Sequence, residues 1–243
     1  MDEHDFLCVS AGAVVSISSG MSESQRDDVV NSVLFAQRVA SKKFPGADSS
    51  EAWYDLYLEV LRSGWLKTDA AWNSSPPEPH AYWTITQAIT LELDKMTSEQ
   101  TIIRIQRALS VIGQQDDCAP VIQLLRRYIQ VPSGEASSTS DEESTKIRLL
   151  VILADQGPSL TSVLVEFDSA QPILPNPLNQ AFASQQVKGD IGLKVYCADL
   201  SDVLYDPVRA SIISKLGDRV ITEIARLSPL IDVDHSGECS EDV

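Results

Sequence analysis

Residues 147–154 read IRLLVILA, and this run decides the predicted fold of the second half of the chain. A short, nearly continuous aliphatic run of this length is typical of a buried strand. Two further runs follow, TSVLVEF at 161–167 and DIGLKVYCA at 190–198, and in both of them apolar side chains alternate with other residues. Alternation with a period of two is the pattern of a half-buried strand. The sequence therefore predicts three strands between residues 147 and 198.

An amphipathic helix is predicted after these strands. Asp206 and Pro207 form an N-cap and first-turn proline arrangement, which is a common way for a helix to begin. The apolar residues that follow lie on one helical face, up to Ser228 and Pro229: Val208, Ile212, Leu216, Val220 and Ile224. Because such a face needs an apolar partner, we expect this helix to cover the small sheet.

Helical periodicity dominates the first half of the chain. Ser22 and Gln25 form a capping-box pattern at the start of a helix over 24–42. Asp48 and Glu51 cap a second helix, which ends near Gly64. Two more helices are predicted over 98–112 and 117–129, the latter with a proline in its first turn, where proline is tolerated.

Two stretches between these helices are harder to assign. Residues 66–82 include NSSPPEP at 73–79, which can hold neither a helix nor a central strand, so we predict a long connection. Residues 83–93 fit both strand alternation and helical spacing. We favour a helix for this second stretch because helices stand on both sides of it.

Helices first, followed by strands and one helix, is an α+β order. We predict a mainly helical N-terminal half followed by a small, about three-stranded sheet that a long C-terminal amphipathic helix covers. The predicted regions are an N-terminal segment at 1–21, a helical region at 22–130, a polar linker or loop at 131–145, a β-rich region with the C-terminal helix at 146–230 and an acidic flexible tail at 231–243.

The charge balance limits the partners. The formal net charge is −16, and a surface of that sign repels phosphate backbones over a Debye length of roughly 10 Å. Two short arginine pairs, Arg104 with Arg107 and Arg126 with Arg127, lie on predicted helices and indicate solvated helix faces rather than a phosphate site. We therefore expect no nucleic acid partner. A basic protein is the partner that the charge favours.

Motifs for catalysis and for metal binding are missing from the sequence. Cys8, Cys118, Cys197 and Cys239 form no Cys-x-x-Cys pair, and His4 and His235 lie in the predicted tails. The run DVDHSG at 232–237 resembles the opening of a calcium loop, but its twelfth position is the terminal valine rather than a glutamate. We expect no metal site and no cofactor, and the enzyme assignment stays open, leaning towards none.

Aromatic residues form the most unusual cluster. All four tryptophans, with half of the tyrosines, fall between residues 53 and 83. Trp53 shares a predicted helix face with Tyr57 and is expected in the core. Four residues near or within the predicted connection are the candidates for a binding surface: Trp72, His80, Tyr82 and Trp83. The alternative is that these side chains simply pack the loop, which is the commoner use of tryptophan.

Three functions remain open from the sequence. The first is a non-catalytic, soluble protein-binding protein of the inhibitor or immunity type. The second is an effector or toxin that is exported without a classical signal peptide and contacts a membrane peripherally through its aromatics. The third is a hydrolase-type enzyme with a site built from loops around His80 or residues 172–188.

Localisation is equally open. Residues 6–22 carry no charge, but serines and glycines interrupt them and acidic residues precede them. A secretory signal needs a basic leader, and a spanning helix needs about 20 predominantly apolar residues. We predict no transmembrane segment and either a cytoplasmic protein or one that is exported without a classical signal.

Overall fold

A computed structural model describes residues 5–46, 50–93, 97–131 and 144–227, apart from the side chain of residue 92. Its helices are α1 Glu23–Lys43, α2 Ser50–Leu61, α3 Ile85–Leu93, α4 Glu99–Gly113, α5 Pro120–Ile129, α6 Asp202–Leu216 and α7 Arg219–Thr222. Its strands are β1 Phe6–Ser10, β2 Ala13–Ile17, β3 Trp65–Ser75, β4 Tyr82–Trp83, β5 Gln130–Val131, β6 Thr145–Asp155, β7 Ser159–Ser169, β8 Phe182–Ala183, β9 Val187–Leu200 and β10 Ile224–Arg226.

One eight-stranded mixed sheet organises the chain. Its order is β10-β1-β2-β6-β7-β9-β3, and β5 pairs with the beginning of β6. The β2–β6 pair is parallel, whereas the other pairs along this path are antiparallel. The short strands β4 and β8 form a separate two-stranded ribbon. Strands from both ends of the chain therefore meet in a single sheet.

The prediction of a small, three-stranded sheet is wrong. The three predicted strands are present as β6, β7 and β9, but each is longer than its apolar run. Residues 6–17, which the sequence analysis assigned to an N-terminal segment, form β1 and β2 around a turn at Ala11 and Gly12. Residues 66–75, which were assigned to a connection over 66–82, belong to β3. Short strands and a solvent-exposed strand lack the long apolar alternation that identifies a strand in a sequence.

Helices cover both faces of the sheet. On one face α3, α4 and α5 pack on alternate side chains of β6, among them Leu149 and Val151. On the other face α1 and α2 pack on the intervening residues, including Leu150 and Ile152. The aliphatic run 147–154 has this composition because a central strand between two helical layers is buried on both sides.

The C-terminal helix does not cover the sheet, which corrects the second part of the fold prediction. α6 begins at Asp202, so Pro207 lies inside the helix rather than in its first turn. It ends at Leu216, before Gly217 with a φ of 53°. Its buried side chains Tyr205, Ile212 and Leu216 pack against Leu34 of α1. Of the predicted apolar face, Val208, Ile212 and Leu216 lie on α6, whereas Val220 lies in α7 and Ile224 in strand β10. The single long helix is therefore wrong, and the helical partner of α6 is α1.

The predicted helices of the first half are confirmed. The capping box of Ser22 and Gln25 is present at the start of α1. Ser98 caps α4 through the backbone N–H of Thr101, and Pro120 is the first residue of α5. Residues 85–93 are helical, as favoured. The proposed regions at 131–145 and 231–243 fall wholly or largely outside the described residues, as do Asp48, His4, His235 and the calcium-like run, and the domain boundaries stay predictions.

Charged pairs fasten the helices to the sheet. Arg148 of β6 donates from Nε to Glu166 of β7 at 2.6 Å and from Nη2 to Ser50 at 2.6 Å, and its guanidinium lies 4.1 Å from the ring centroid of Trp53. Arg104 of α4 pairs with two carboxylates near the end of the sheet, Asp5 and Asp155. Arg148 is the one cation in the run 147–154, and its charge is balanced by Glu166 while its guanidinium stacks on Trp53 of α2.

We predict that Ile152→Ala lowers the free energy of unfolding by about 2–5 kcal/mol, because it leaves a cavity in the layer under α1 and α2. Ile152 is fully buried. The matched control is Leu66→Ala on β3, where the side chain is 53% exposed and the change should stay within about 0.5 kcal/mol. Urea unfolding of both variants measures this, and equal losses would contradict the assignment of β6 to the centre of the core.

Candidate interaction surface

Strand β3 is the last strand of the sheet, and little in the described ranges covers it. Trp65 at its beginning is buried in the core, but Leu66 to Ala70 are exposed, and exposed and half-buried residues alternate from there to Ser75. Pro76 and Pro77 end the strand, because neither can donate to a ladder. We call residues 66–75 the β3 edge. It is a long strand with two solvent-facing sides.

Trp72 lies in the middle of residues 69–75, the part of β3 that pairs with β9 without a register shift. Its register partner is Lys194 of β9, whose neighbour on the same face, Tyr196, belongs to the core under α1 and α2. Lys194 Nζ lies 4.8 Å from the ring centroid of Tyr54 in α2. Trp72 is nevertheless 76% exposed, because α2 does not reach over it. Burial of this indole by a partner would remove a large apolar area from water, which makes Trp72 a candidate anchor for binding.

Tyr82 and Trp83 are neighbours with opposite environments. Tyr82 is 74% exposed, whereas Trp83 is 8% exposed and packs edge-on against Phe167 at a centroid distance of 4.8 Å. Trp83 also stacks on Phe182 at 5.3 Å, so it anchors the β4–β8 ribbon to the core. The binding role given to these residues stays a prediction, and the accessible aromatics among them are Trp72 and Tyr82.

His80 is exposed and joins two loops. Its φ is 61°, and its Nδ1 lies 3.0 Å from Nε2 of Gln185, in the 3-10 turn Ser184–Gln186. The N–H and hydroxyl of Ser184 both donate to the carbonyl of Ala81, at 3.0 and 2.8 Å. The structure thus brings together the two loops that the enzyme hypothesis names. The imidazole is exposed, and the hydrogen-bond partner of its ring in the described part of the chain is the amide of Gln185, which is neither an acid nor a base.

Two cavities of the described part of the chain differ in size and lining. One of about 30 Å³ lies between α1, α2 and β6, with Gln37, Arg38 and Arg148 in its wall, and this volume suits a water molecule rather than a substrate. An open depression of about 480 Å³ on α5 is lined by Gln123, Arg126, Arg127 and Gln130. Within the described part of the chain, neither lining includes a histidine, a cysteine or a carboxylate.

The free thiols Cys8 and Cys197 are not activated. Burial raises the pKa of the Cys8 thiol to about 12. Burial also raises the pKa of Cys197, and the nearby carboxylates of Asp69 and Asp199 raise it further. A nucleophilic or metal-binding thiol needs a lowered pKa. Among the residues that the structure describes, no group of three or more His, Cys, Asp or Glu side chains is arranged to hold a metal ion.

The β3 edge itself was not predicted from the sequence. Trp72 was a candidate but was placed in a loop, and Leu66 was not among the candidates. A usable signal was present, because residues 65–75 contain neither proline nor glycine and carry the isolated charges Lys67 and Asp69. Isolated charges on an otherwise uncharged run are typical of an edge strand.

The comparisons with known proteins give only remote likenesses. The sequence matches no family model and no curated protein. A solved structure named "delta-endotoxin" aligns with a TM-score of 0.41 and 8% identity over 82% of each chain. The structure of the Evf virulence factor aligns with a TM-score of 0.31 and 7% identity over 90% of this chain and 85% of that one. Likenesses of this degree carry no conclusion about function.

No helix in the described ranges has both the length and the apolar character that crossing a membrane requires.

We predict that Trp72 accounts for most of the tryptophan emission that acrylamide can quench. The other three indoles are at most 8% exposed, so Trp72→Phe should leave an emission that resists quenching. Trp83→Phe is the matched control and should leave the quenchable fraction intact. Loss of that fraction in the control, and not in Trp72→Phe, would contradict the environments described above.

Proposed function

We propose that this protein acts by binding another protein through its exposed aromatic surface, and not by catalysis. The observation that carries the proposal is the exposure of Trp72 in the middle of an uncovered edge strand. Large aromatic side chains supply much of the binding free energy at protein interfaces when they become buried. Tyr82 and His80, on the chain that follows the β3 edge, are also exposed and stay candidates for binding.

The net charge supports a basic partner. A protein with a formal charge of −16 attracts a basic protein over several ångströms and speeds its association at low salt. An inhibitor or immunity-type protein works in this way, by covering a basic partner without chemistry of its own. An enzyme role has weaker support, since His80 is exposed and the pKa values of both free thiols are raised.

Affinity capture from the native extract, followed by mass spectrometry, tests the proposal. Wild type and the control Leu174→Ala, which also truncates an exposed apolar side chain, should retain the same basic protein. Trp72→Ala should lose it, and with the purified partner its Kd should rise by about 30-fold, the effect of losing a hot spot of ~2 kcal/mol. A Kd that is unchanged in Trp72→Ala would contradict the proposed surface.

A second candidate is an effector that acts at a membrane. The favouring observation is that both accessible aromatics, Trp72 and Tyr82, are of the types that prefer the membrane–water interface. The negative charge opposes approach to anionic lipid, so neutral vesicles should be the better target at neutral pH.

Dye release from liposomes separates the two candidates. A membrane effector should release dye from zwitterionic vesicles, less from vesicles with anionic lipid at neutral pH, and much less after Trp72→Ala and Tyr82→Ala together. Absence of release from both kinds of vesicle, at acidic and at neutral pH, would remove this candidate and leave the protein-binding proposal in place.

A further inference from the structure

The β3 edge is an unusual end for a sheet. Within the described ranges no strand pairs with the outer side of β3, and the opposite end of the sheet is β10 with only three residues. Natural edge strands are usually short, charged, bulged or covered, because an open edge is a template for another strand. β3 has eleven residues and is paired with β9 over almost all of them.

The features of β3 that discourage pairing with another strand are confined to its first half. The charges Lys67 and Asp69 flank an irregularity in the pairing with β9 at Thr68. From Asp69 to Ser75 the pairing is unbroken, and after Asp69 this stretch carries no charge and no proline. The regular stretch is therefore centred on Trp72.

The backbone groups that face outward can be assigned from the ladder. Ser201 N–H donates to Gly64 O at 2.9 Å, towards β3, and Leu200 N–H donates to Pro158 O at 2.9 Å, towards β7. Along an antiparallel strand, successive residues direct their N–H and C=O groups to opposite sides. The odd-numbered β9 residues therefore bond to β3, and their partners on β3 bond back to β9. These partners include Asp69 and Ala71, so Ala70, Trp72 and Ser74 direct their backbone groups outward.

One outward donor supports this assignment. The N–H of Ala70 donates to its neighbour's carboxylate, Asp69 Oδ1, at 2.8 Å, as a group without a strand partner would. The outward residues lie symmetrically about Trp72. A second identical strand that runs antiparallel can therefore place Trp72 opposite Trp72 and Ala70 opposite Ser74, with matched donors and acceptors.

Local charge does not oppose such a pair. The charged residues of β3 and β9 balance, with three cations and three anions: Lys67, Lys188, Lys194, Asp69, Asp190 and Asp199. In this register Asp69 faces Ser75, and no charged residue of the regular stretch faces a like charge. The large negative charge of the whole protein is therefore not concentrated at this edge.

We infer that the β3 edge pairs with the β3 edge of a second copy of this chain, antiparallel and about a two-fold axis at Trp72. The two indoles then lie side by side on the α1–α2 side of a continuous sheet, where facing aromatic residues stabilise a strand pair. This inference uses the same surface as the proposed function and adds that the backbone edge is occupied by a second copy. The dimer presents two Trp72 side chains to a further partner.

Two double variants that differ only at position 70 test the register. Ala70→Lys with Ser74→Lys places like charges opposite each other across the axis, whereas Ala70→Glu with Ser74→Lys places opposite charges there. Both native side chains are exposed, so neither variant should change the urea unfolding midpoint by much. Sedimentation velocity over a concentration series gives the dimer Kd. We expect the first variant to dimerise at least about tenfold more weakly than the second.

The dimer measurements and the affinity capture can fail independently of each other. Equal dimer Kd values for the two variants, or a wild type that stays monomeric at the highest soluble concentration, would overturn the inference. A monomer that still captures a basic protein through Trp72 would mean that another protein occupies the edge, and the proposed function would stand. A dimer of the expected register that captures no protein would support the inference and remove the proposed function.

Discussion

The fold depends on one constraint, the apolar character of both faces of β6. A strand with aliphatic side chains in both directions is stable only when it is buried from both sides. Helices α3 to α5 supply one layer, α1 and α2 supply the other, and Arg148 is accommodated by Glu166 and Trp53. Among the described residues the helices contact β1, β2 and β6, and α3 contacts β9, while the outer strand β3 stays exposed after Trp65. The exposed surface is thus a consequence of how the core is covered.

The sequence predicts the parts of this fold that have strong local signals. Caps such as Ser22 and a first-turn Pro120 locate helices to within a few residues, and the run 147–154 locates the central strand. The size of the sheet could not be predicted in the same way. β1 and β2 have five residues each, and β3 has almost no buried side chain, so none of them shows the long periodic pattern on which such predictions rest.

Of the proposed surface, Trp72 could be singled out from the sequence, but the strand edge that carries it could not. Aromatic clustering pointed to Trp72 and Tyr82, which are exposed, and equally to Trp83, which is in the core. Adjacent aromatics cannot be separated by composition, because strand direction alone sends Tyr82 outward and Trp83 inward. The open backbone edge follows from strand order, which is a long-range property of the chain. The binding that we propose uses this strand edge and the indole of Trp72.

Hydrogen exchange of the backbone, read by mass spectrometry at low protein concentration, tests the central claim most directly. The account predicts that amides of 147–154 exchange slowest, since opening them requires loss of both helical layers, and that peptides covering 66–75 exchange fast. Raising the protein concentration should slow exchange in 66–75 while 147–154 stays unchanged. If 66–75 were as protected as 147–154 in dilute solution, β3 would not be an open edge and the account would be contradicted.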